Sequence, residues 1–234
     1  MLIYLARHGQ AGGTRYNELT ATGRRQADLL GKYLAWLGAP FDQSFTGSLE
    51  RQRETHARAR AAAGEPSVIA EAEVLAGLDE ISPDVWFALA EELRNDGTGF
   101  RGDFRAWIES LRKSTPVAPH AYERMLETIL QFWIGGKYKT DTIESFEDFR
   151  ARVLDAWNRV RQSDGERVLC ISSGTPIALI IGDCLKMELR SSLELLRHIE
   201  NTSLSVFQLQ KTRLVPVSIN SAPHLAFADA TTLI

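Results

Sequence analysis

Three short polar segments combine a histidine, two arginines and several small residues, and each directly follows an apolar run. In chain order they are Arg7-His8-Gly9-Gln10, Gly47-Ser48-Leu49-Glu50-Arg51 and Ser172-Ser173-Gly174-Thr175-Pro176. An imidazole can act as a nucleophile or carry a proton, and a guanidinium fork can bind phosphate through two parallel hydrogen bonds. Together, the three segments predict a site for an anionic, phosphate-like ligand.

The histidine and the arginines of the first two segments can also be explained as residues with no catalytic or binding role. A histidine beside a buried strand is by itself more typical of a structural residue, but the permanent cation Arg7 and the small Gly9 beside His8 favour a functional role. Arg51 alone is typical of a solvated charge in an arginine-rich helix. If Ser48 is the N-cap, Arg51 occupies the third helical position, where the helix dipole disfavours a cation unless an anion lies nearby.

The third segment has the features of an anion-binding helix start. Gly174 frees the backbone, Thr175 can cap the helix, and Pro176 suits the first helical position. Exposed N–H groups at such a start bind phosphate readily. Many strand-to-helix turns look like this, so the segment is informative only together with the other two.

The elements that must position these segments alternate between strand and helix. Apolar runs predict strands over 2–6, 41–46, 68–70, 167–171, 203–209 and 214–219. Helical spacing predicts helices over 20–37, 48–63, 145–161 and 176–185. We predict Thr20 and Ser48 as N-caps. This alternation indicates an α/β fold with a mostly parallel sheet covered on both faces, whose ligands bind beyond the carboxyl ends of the strands.

The segment from about residue 81 to 145 interrupts the alternation. It contains three of the five tryptophans, and it is too long to be a plain loop in a compact domain. We interpret it as a mostly helical cap insertion that packs over one end of the sheet. The whole chain, 1–234, is then a single domain with this insertion.

The composition is that of a globular protein, with 44% apolar and 24% charged residues among 234. The 27 Lys and Arg against 30 Asp and Glu leave a formal net charge of −3, which disfavours nucleic acid and anionic membranes as partners. The apolar stretch over 176–181 is too short to span a membrane, and the N-terminus has no signal-peptide core, so we expect a cytoplasmic protein. Cys170 and Cys184 lack metal-ligand spacing and are interpreted as buried thiols.

An ordered series of motifs resembles the histidine phosphatase superfamily, the group that includes the phosphoglycerate mutases. The matching residues are Arg7-His8-Gly9, Leu19-Thr20-x-x-Gly23-x-x-Gln26-Ala27, Ser48-Leu49-x-Arg51-x-x-x-Thr55, Leu78-x-Glu80, Glu144-Ser145, Arg152-Val153 and Asn201-Thr202-Ser203.

The resemblance implies an αβα sandwich with a helical cap, no metal, and phosphoryl transfer through a phosphohistidine on His8. Arg7 and Arg51 would hold the phosphoryl oxygens, and Glu80 would protonate the departing oxygen and later activate water. A histidine nucleophile attacks through a neutral nitrogen, so its other ring nitrogen must be held as a donor, usually by a backbone carbonyl. The remaining predicted substrate contacts are Gly9, Gln10, Ser173 and Gly174.

The sequence departs from the family pattern at three places. Ser173 stands where the family usually has a second histidine, and a serine supplies a neutral hydrogen bond instead of a positive charge. Losing one such electrostatic donor costs on the order of 10² to 10³ in rate. Two roles are open for His224, which are compensation for the missing second histidine and a purely structural role. Thr14 replaces an asparagine common in the mutases, with Asn17 coming later, and Ile81-Ser82-Pro83 replaces a glycine-containing continuation.

The last two departures favour a phosphatase over a mutase. The sequence therefore predicts a metal-independent phosphomonoester hydrolase that acts on a small phosphorylated metabolite without a cofactor. Two alternatives stay open, a phosphate-binding protein with impaired catalysis and a phosphoglycerate mutase-type phosphotransferase. The oligomeric state is not indicated.

Overall fold

The computed structural model describes residues 1–12, 17–95, 100–113, 119–136, 142–226 and 231–232. The chain forms two compact units, one from residues 1–80 and 152–234 and the other from residues 81–151. The first unit carries all six strands of the described residues. Thr14 lies outside the described residues.

The first unit is built on one six-stranded sheet. Its strands are β1 (Leu2–Arg7), β2 (Gln43–Thr46), β3 (Ala72–Val74), β4 (Arg167–Ser172), β5 (Leu204–Gln210) and β6 (Arg213–Ser221). The order across the sheet is β3-β2-β4-β1-β5-β6. The first four strands of this order run parallel, and β5 and β6 are antiparallel to their neighbours. The predicted mostly parallel sheet is confirmed.

Helices pack on the two faces of this sheet. In the first unit these are α1 (Ala21–Trp36), α2 (Glu50–Ala62), most of α6 (Phe146–Arg161), α7 (Gly174–Leu185) and α8 (Leu189–Glu194). Leu34 of α1 and Ala59 of α2 share a buried cluster with Tyr4 of β1. Phe207 lies opposite Ile3 and therefore faces the other side of the sheet, because neighbouring residues in a strand alternate faces.

On that second side, the ring of Phe207 meets Trp157 of α6, with centroids 6.1 Å apart. Trp157 is almost completely buried. The architecture is thus the predicted three-layer αβα arrangement.

Helix α1 follows directly from its sequence. Thr20 is the N-cap, and its side chain accepts a hydrogen bond from the backbone of Gly23. Leu30 and Leu34 lie on its buried face, and Gly38 follows the helix with a φ of +72°, a left-handed conformation that favours glycine. The predicted start, buried face and end of this helix are confirmed.

The predicted start of α2 is wrong by one residue. The N-cap is Leu49, so Arg51 occupies the second helical position and not the third. Ser48 instead donates its hydroxyl hydrogen to the carboxylate of Asp79, and its backbone N–H donates to the same carboxylate at 2.6 Å. The Asp79 carboxylate, from a distant part of the chain, thus anchors the loop before α2, and Ser48 is not the helix cap.

Two further boundaries differ from the predictions. The third strand lies at 72–74, because Ile69 forms only an isolated bridge with Phe41. Helix α7 begins at Gly174 with Ser173 as N-cap, so Thr175 is not the cap and Pro176 takes the third helical position. Proline is tolerated there because the N–H groups of the first helical turn have no partner within the helix.

The second unit is helical. It contains α3 (Pro83–Asn95), α4 (Phe100–Lys113), α5 (Pro119–Ile134) and the beginning of α6. Trp133 lies at its core, 5.3 Å from the ring centroids of both Phe146 and Phe149, and its indole N–H donates to the carbonyl of Glu144 at 3.0 Å. That this unit caps one end of the sheet stays a prediction.

Among the described residues, we find no helix with both the length and the apolar character needed to cross a lipid bilayer. Cys170 and Cys184 are free thiols, and burial raises the pKa of Cys184 to about 11.

Candidate active site

His8 follows the end of β1, at the carboxyl edge of the parallel strands. Its backbone N–H donates to the carbonyl of Ser172 at the end of β4, 2.9 Å away, and its own carbonyl accepts from the side chain of Asn201 at 3.1 Å. These bonds hold the backbone of residue 8 between β4 and the turn before β5. The side chain is buried, with 6% of its surface exposed.

The two ring nitrogens of His8 have different partners. Nδ1 lies 2.7 Å from the carbonyl oxygen of Gly9, which can only accept a hydrogen bond. Nε2 lies 3.1 Å from Nε of Arg51, which can only donate. The hydrogen therefore resides on Nδ1 and the lone pair on Nε2, which is the arrangement expected of a histidine nucleophile.

The electrostatic environment keeps this imidazole neutral. Burial is the main reason that the pKa of His8 lies well below its usual value. The positive charges of Arg51 and then Arg7 lower the pKa further, and the hydrogen bond to Gly9 acts in the opposite direction. At neutral pH, His8 is therefore a neutral base beside two cations.

Arg51 and Arg7 reach the site from two different elements. Arg51, in the first turn of α2, is 3% exposed and also donates to the side chain of Asn17 at 3.3 Å. Arg7, the last residue of β1, donates to the carbonyl of Ile199. A β-carbon placed on Gly174 would lie 3.8 Å from the central carbon of the Arg7 guanidinium, so this cation borders the start of α7.

Gly9 and Gln10 connect the histidine loop to the helices beside it. The N–H of Gly9 donates to the hydroxyl of Thr55 at 3.0 Å. A β-carbon on Gly9 would lie 2.5 Å from the carbonyl oxygen of Gly23, which makes glycine necessary at this close approach. The side-chain oxygen of Gln10 accepts from the hydroxyl of Thr20 at 2.8 Å, which ties this residue to the start of α1.

Glu80 lies at the start of α7. Its Oε2 accepts a hydrogen bond from the N–H of Thr175 at 3.1 Å, and the side chain is half-buried. Arg152 of α6 donates to the carbonyls of Gly77 and Asp79, at 3.0 and 2.8 Å, and so holds the backbone that precedes Glu80. The carboxyl group of Glu80 therefore lies at the first turn of α7.

Ser173 is fully buried at the N-cap of α7, and its hydroxyl accepts a hydrogen bond from the side-chain amide of Gln52 at 2.9 Å. His224 contacts the hydroxyl of Thr202 at 3.0 Å and stacks on Tyr33, with centroids 5.7 Å apart. Burial lowers the pKa of His224 to about 4, so this ring is neutral at pH 7 and does not supply the charge of a second imidazolium.

The structure brings the site residues predicted from the sequence together in three places. His8 contacts Arg51, Arg7 borders Gly174, and Glu80 accepts from the N–H of Thr175. Sequence reasoning missed the roles of Asn17 and Gln52. Gln52 adjoins Arg51 but carries no charge and follows no motif, so only its contacts in the fold identify it.

A family model described as the histidine phosphatase superfamily (branch 1) matches residues 3–132 and 118–222 of this chain. The chain resembles Bacillus stearothermophilus YhfR at 20% identity, covering 96% of this chain and 98% of that one, with a TM-score of 0.62. No match to a curated protein is found.

Two further solved structures share this fold. Phosphoglycerate mutase from Bacillus anthracis is 17% identical, with coverage of 97% and 96% and a TM-score of 0.62. Phosphoserine phosphatase from Entamoeba histolytica, in complex with 3-phosphoglyceric acid, is 20% identical, with coverage of 96% and 98% and a TM-score of 0.59.

Proposed function

Because this chain belongs to the histidine phosphatase superfamily, we propose that it hydrolyses small phosphate monoesters through a phosphohistidine formed on His8. The observation that carries this proposal is the pair of contacts on the imidazole. The carbonyl of Gly9 holds Nδ1 as a donor, and Nε2 presents its lone pair beside the Arg51 guanidinium.

In the first step, the phosphoryl group of the substrate takes up the hydrogen bonds of Arg7 and Arg51. This frees Nε2 of His8 from Arg51, and its lone pair attacks phosphorus. The P–N bond forms as the P–O bond to the leaving group breaks, and Glu80 transfers its proton to the departing oxygen. Two guanidinium groups balance the charge spread over the transferring group, so the proposed reaction requires no metal ion.

In the second step, water attacks the phosphohistidine. The Glu80 carboxylate, ionised after the first step, takes a proton from this water as the P–O bond forms and the P–N bond breaks. Inorganic phosphate leaves, and both His8 and Glu80 return to their starting protonation states. The start of α7, with Gly174 beside Arg7, would face the phosphoryl oxygens during both steps.

The direct test is hydrolysis of a panel of metabolite phosphates in the presence of a chelator, with wild type and His8→Ala side by side. We expect the variant to lose hydrolysis and the wild type to form an acid-labile phosphoenzyme. His198→Ala is the matched control, because His198 is exposed. Retained hydrolysis in His8→Ala would contradict the proposed nucleophile.

A second candidate is a phosphate-binding protein with impaired turnover. It is favoured by Ser173, which contributes a buried neutral hydroxyl at the position where the family resemblance predicts an imidazolium. Tight binding of phosphate esters without turnover would identify this function. Product analysis separates hydrolysis from a mutase-type transfer, since only the latter returns the phosphoryl group to an organic acceptor.

A further inference from the structure

We propose that Gln52 is a positioning residue of this site. Its side-chain amide, at the start of α2, forms hydrogen bonds to the segment before Glu80 and to the start of α7. This inference rests on the proposed function, because it assigns Gln52 to the same phosphate site. Gln52 itself touches no reacting atom.

The side chain of Gln52 is fully buried and makes three hydrogen bonds to three different loops. Its Nε2 donates to the carbonyl of Leu78 at 3.0 Å and to the hydroxyl of Ser173 at 2.9 Å. Its Oε1 accepts from the N–H of Leu49 at 3.3 Å. The amide therefore uses both of its N–H groups and its carbonyl oxygen within the site.

Backbone partners determine which way this amide points. The N–H of Leu49 can only donate and the carbonyl of Leu78 can only accept, so a flipped amide would oppose both groups. Since the flip is excluded by two independent contacts, Gln52 is the donor to Ser173. The hydroxyl of Ser173 then acts as acceptor in this pair.

Each of these bonds reaches a segment that carries a residue of the proposed mechanism. Gln52 adjoins Arg51, Leu78 lies two residues before Glu80, and Ser173 precedes the helix start that binds the Glu80 carboxylate. Catalytic groups act only within a narrow range of positions. Because the Gln52 amide bonds to all three segments, it fixes the position of the Arg51 cation relative to the Glu80 acid.

The surroundings leave this amide little freedom. A β-carbon on Gly47 would overlap both Oε1 of Gln52 and the carboxylate of Asp79, so the glycine makes room for the amide. A ring at position 173 would begin near the serine hydroxyl, 2.9 Å from Nε2 of Gln52, which is too close for a ring carbon. Ser173 and Gln52 are therefore coupled, since an imidazole in the rotamer of Ser173 would require the Gln52 amide to move.

The test is Gln52→Met, which keeps the length of the side chain and removes all three hydrogen bonds. We compare kcat/KM for glycerol 2-phosphate, whose alkoxide needs a proton from Glu80, with kcat/KM for p-nitrophenyl phosphate, whose phenolate leaves without one. The ratio of the first value to the second is expected to fall by about tenfold or more, because a misplaced acid matters only for the first substrate. An unchanged ratio overturns the inference.

Leu34→Ala is the matched control for loss of stability. It creates a cavity in α1 without touching the site, and the substrate ratio is expected to stay at the wild-type value while the thermal midpoint falls. If Gln52→Met does not fold, Gln52→Glu takes its place. It keeps an acceptor for Leu49 but sets an oxygen against the carbonyl of Leu78, and the same fall in the ratio is expected.

Failure of the proposed function is separable from failure of this inference. If the wild type does not hydrolyse either substrate, the affinity for inorganic phosphate is measured by calorimetry. Gln52→Met is then expected to weaken phosphate binding about tenfold, because a displaced Arg51 loses about one hydrogen bond to the phosphate anion. Unchanged phosphate affinity would overturn the role of Gln52, whereas retained hydrolysis in His8→Ala would count only against the nucleophile.

Discussion

The reactivity of His8 depends on which nitrogen holds the hydrogen and on how easily the ring takes up another. The carbonyl of Gly9 settles the first question, since it accepts from Nδ1. Burial and the neighbouring Arg51 and Arg7 settle the second, because each disfavours a positive charge on the ring. A single residue thus becomes a neutral nucleophile through contacts made by its neighbours.

Arg51→Met is expected to raise the pKa of His8 toward its usual value, because it removes the larger of the two repulsive charges. Titration of the His8 ring resonance by NMR, assigned by comparison with His8→Ala, measures this change. Arg58→Met is the control, since Arg58 lies on the same helix but pairs with Asp28. A titration midpoint that is the same in Arg51→Met and wild type would refute this account of the site.

At the scale of elements, the site is made where strands end and helices begin. Strands β1 and β4 are parallel neighbours, so the residues that follow them emerge at the same edge of the sheet. The start of α2 is held there by Asp79, whose carboxylate accepts from the N–H groups of both Ser48 and Leu49. The helix that carries Arg51 is therefore anchored from the segment that carries Glu80.

Asp79→Ala is expected to lower the free energy of unfolding by about 1 to 2 kcal/mol, since it removes the charged acceptor of the Ser48 N–H and hydroxyl and so releases the loop before α2. Asp79→Asn retains an acceptor oxygen and is expected to lose less. Urea unfolding followed by circular dichroism measures both variants. Equal stability of Asp79→Ala and wild type would show that the loop before α2 does not depend on this carboxylate.

Across the described part of the molecule, three histidines, two buried and one half-buried, share one response to acid. The pKa values of His8, His56 and His224 are all lowered, and burial is the largest cause for each. In the unfolded chain these groups take up protons near pH 6.5, whereas in the folded protein they resist protonation. The unfolded state then binds more protons, so stability falls as the pH decreases below about 6.5.

His224→Phe tests this response at one position, where the folded pKa is about 4. Between about pH 6.5 and 4, removal of one titrating group is expected to reduce the slope of unfolding free energy against pH by up to about 1.4 kcal/mol per pH unit. Urea unfolding at a series of pH values measures the slope. An identical slope in the variant would mean that His224 is not buried as a neutral ring.

Local sequence was sufficient for the elements whose signals lie close together along the chain. Helix α1 was predicted from its apolar spacing, the Thr20 cap and Gly38, and all three features depend on residues within a few turns. Likewise, β1 was predicted from its apolar run, and the placement of His8 at its end follows from the parallel sheet. The anion-binding character of the site was already visible in the types of residue at these strand ends.

Tertiary structure alone decided the features that depend on distant partners. Asp79 anchors the loop before α2, and Gln52 joins segments around positions 49, 78 and 173. A hydrogen bond forms between any donor and acceptor that the fold brings within about 3 Å, so it leaves no period or motif in the sequence. Composition and spacing therefore determine which chemistry is available, whereas long-range contacts determine which atoms perform it.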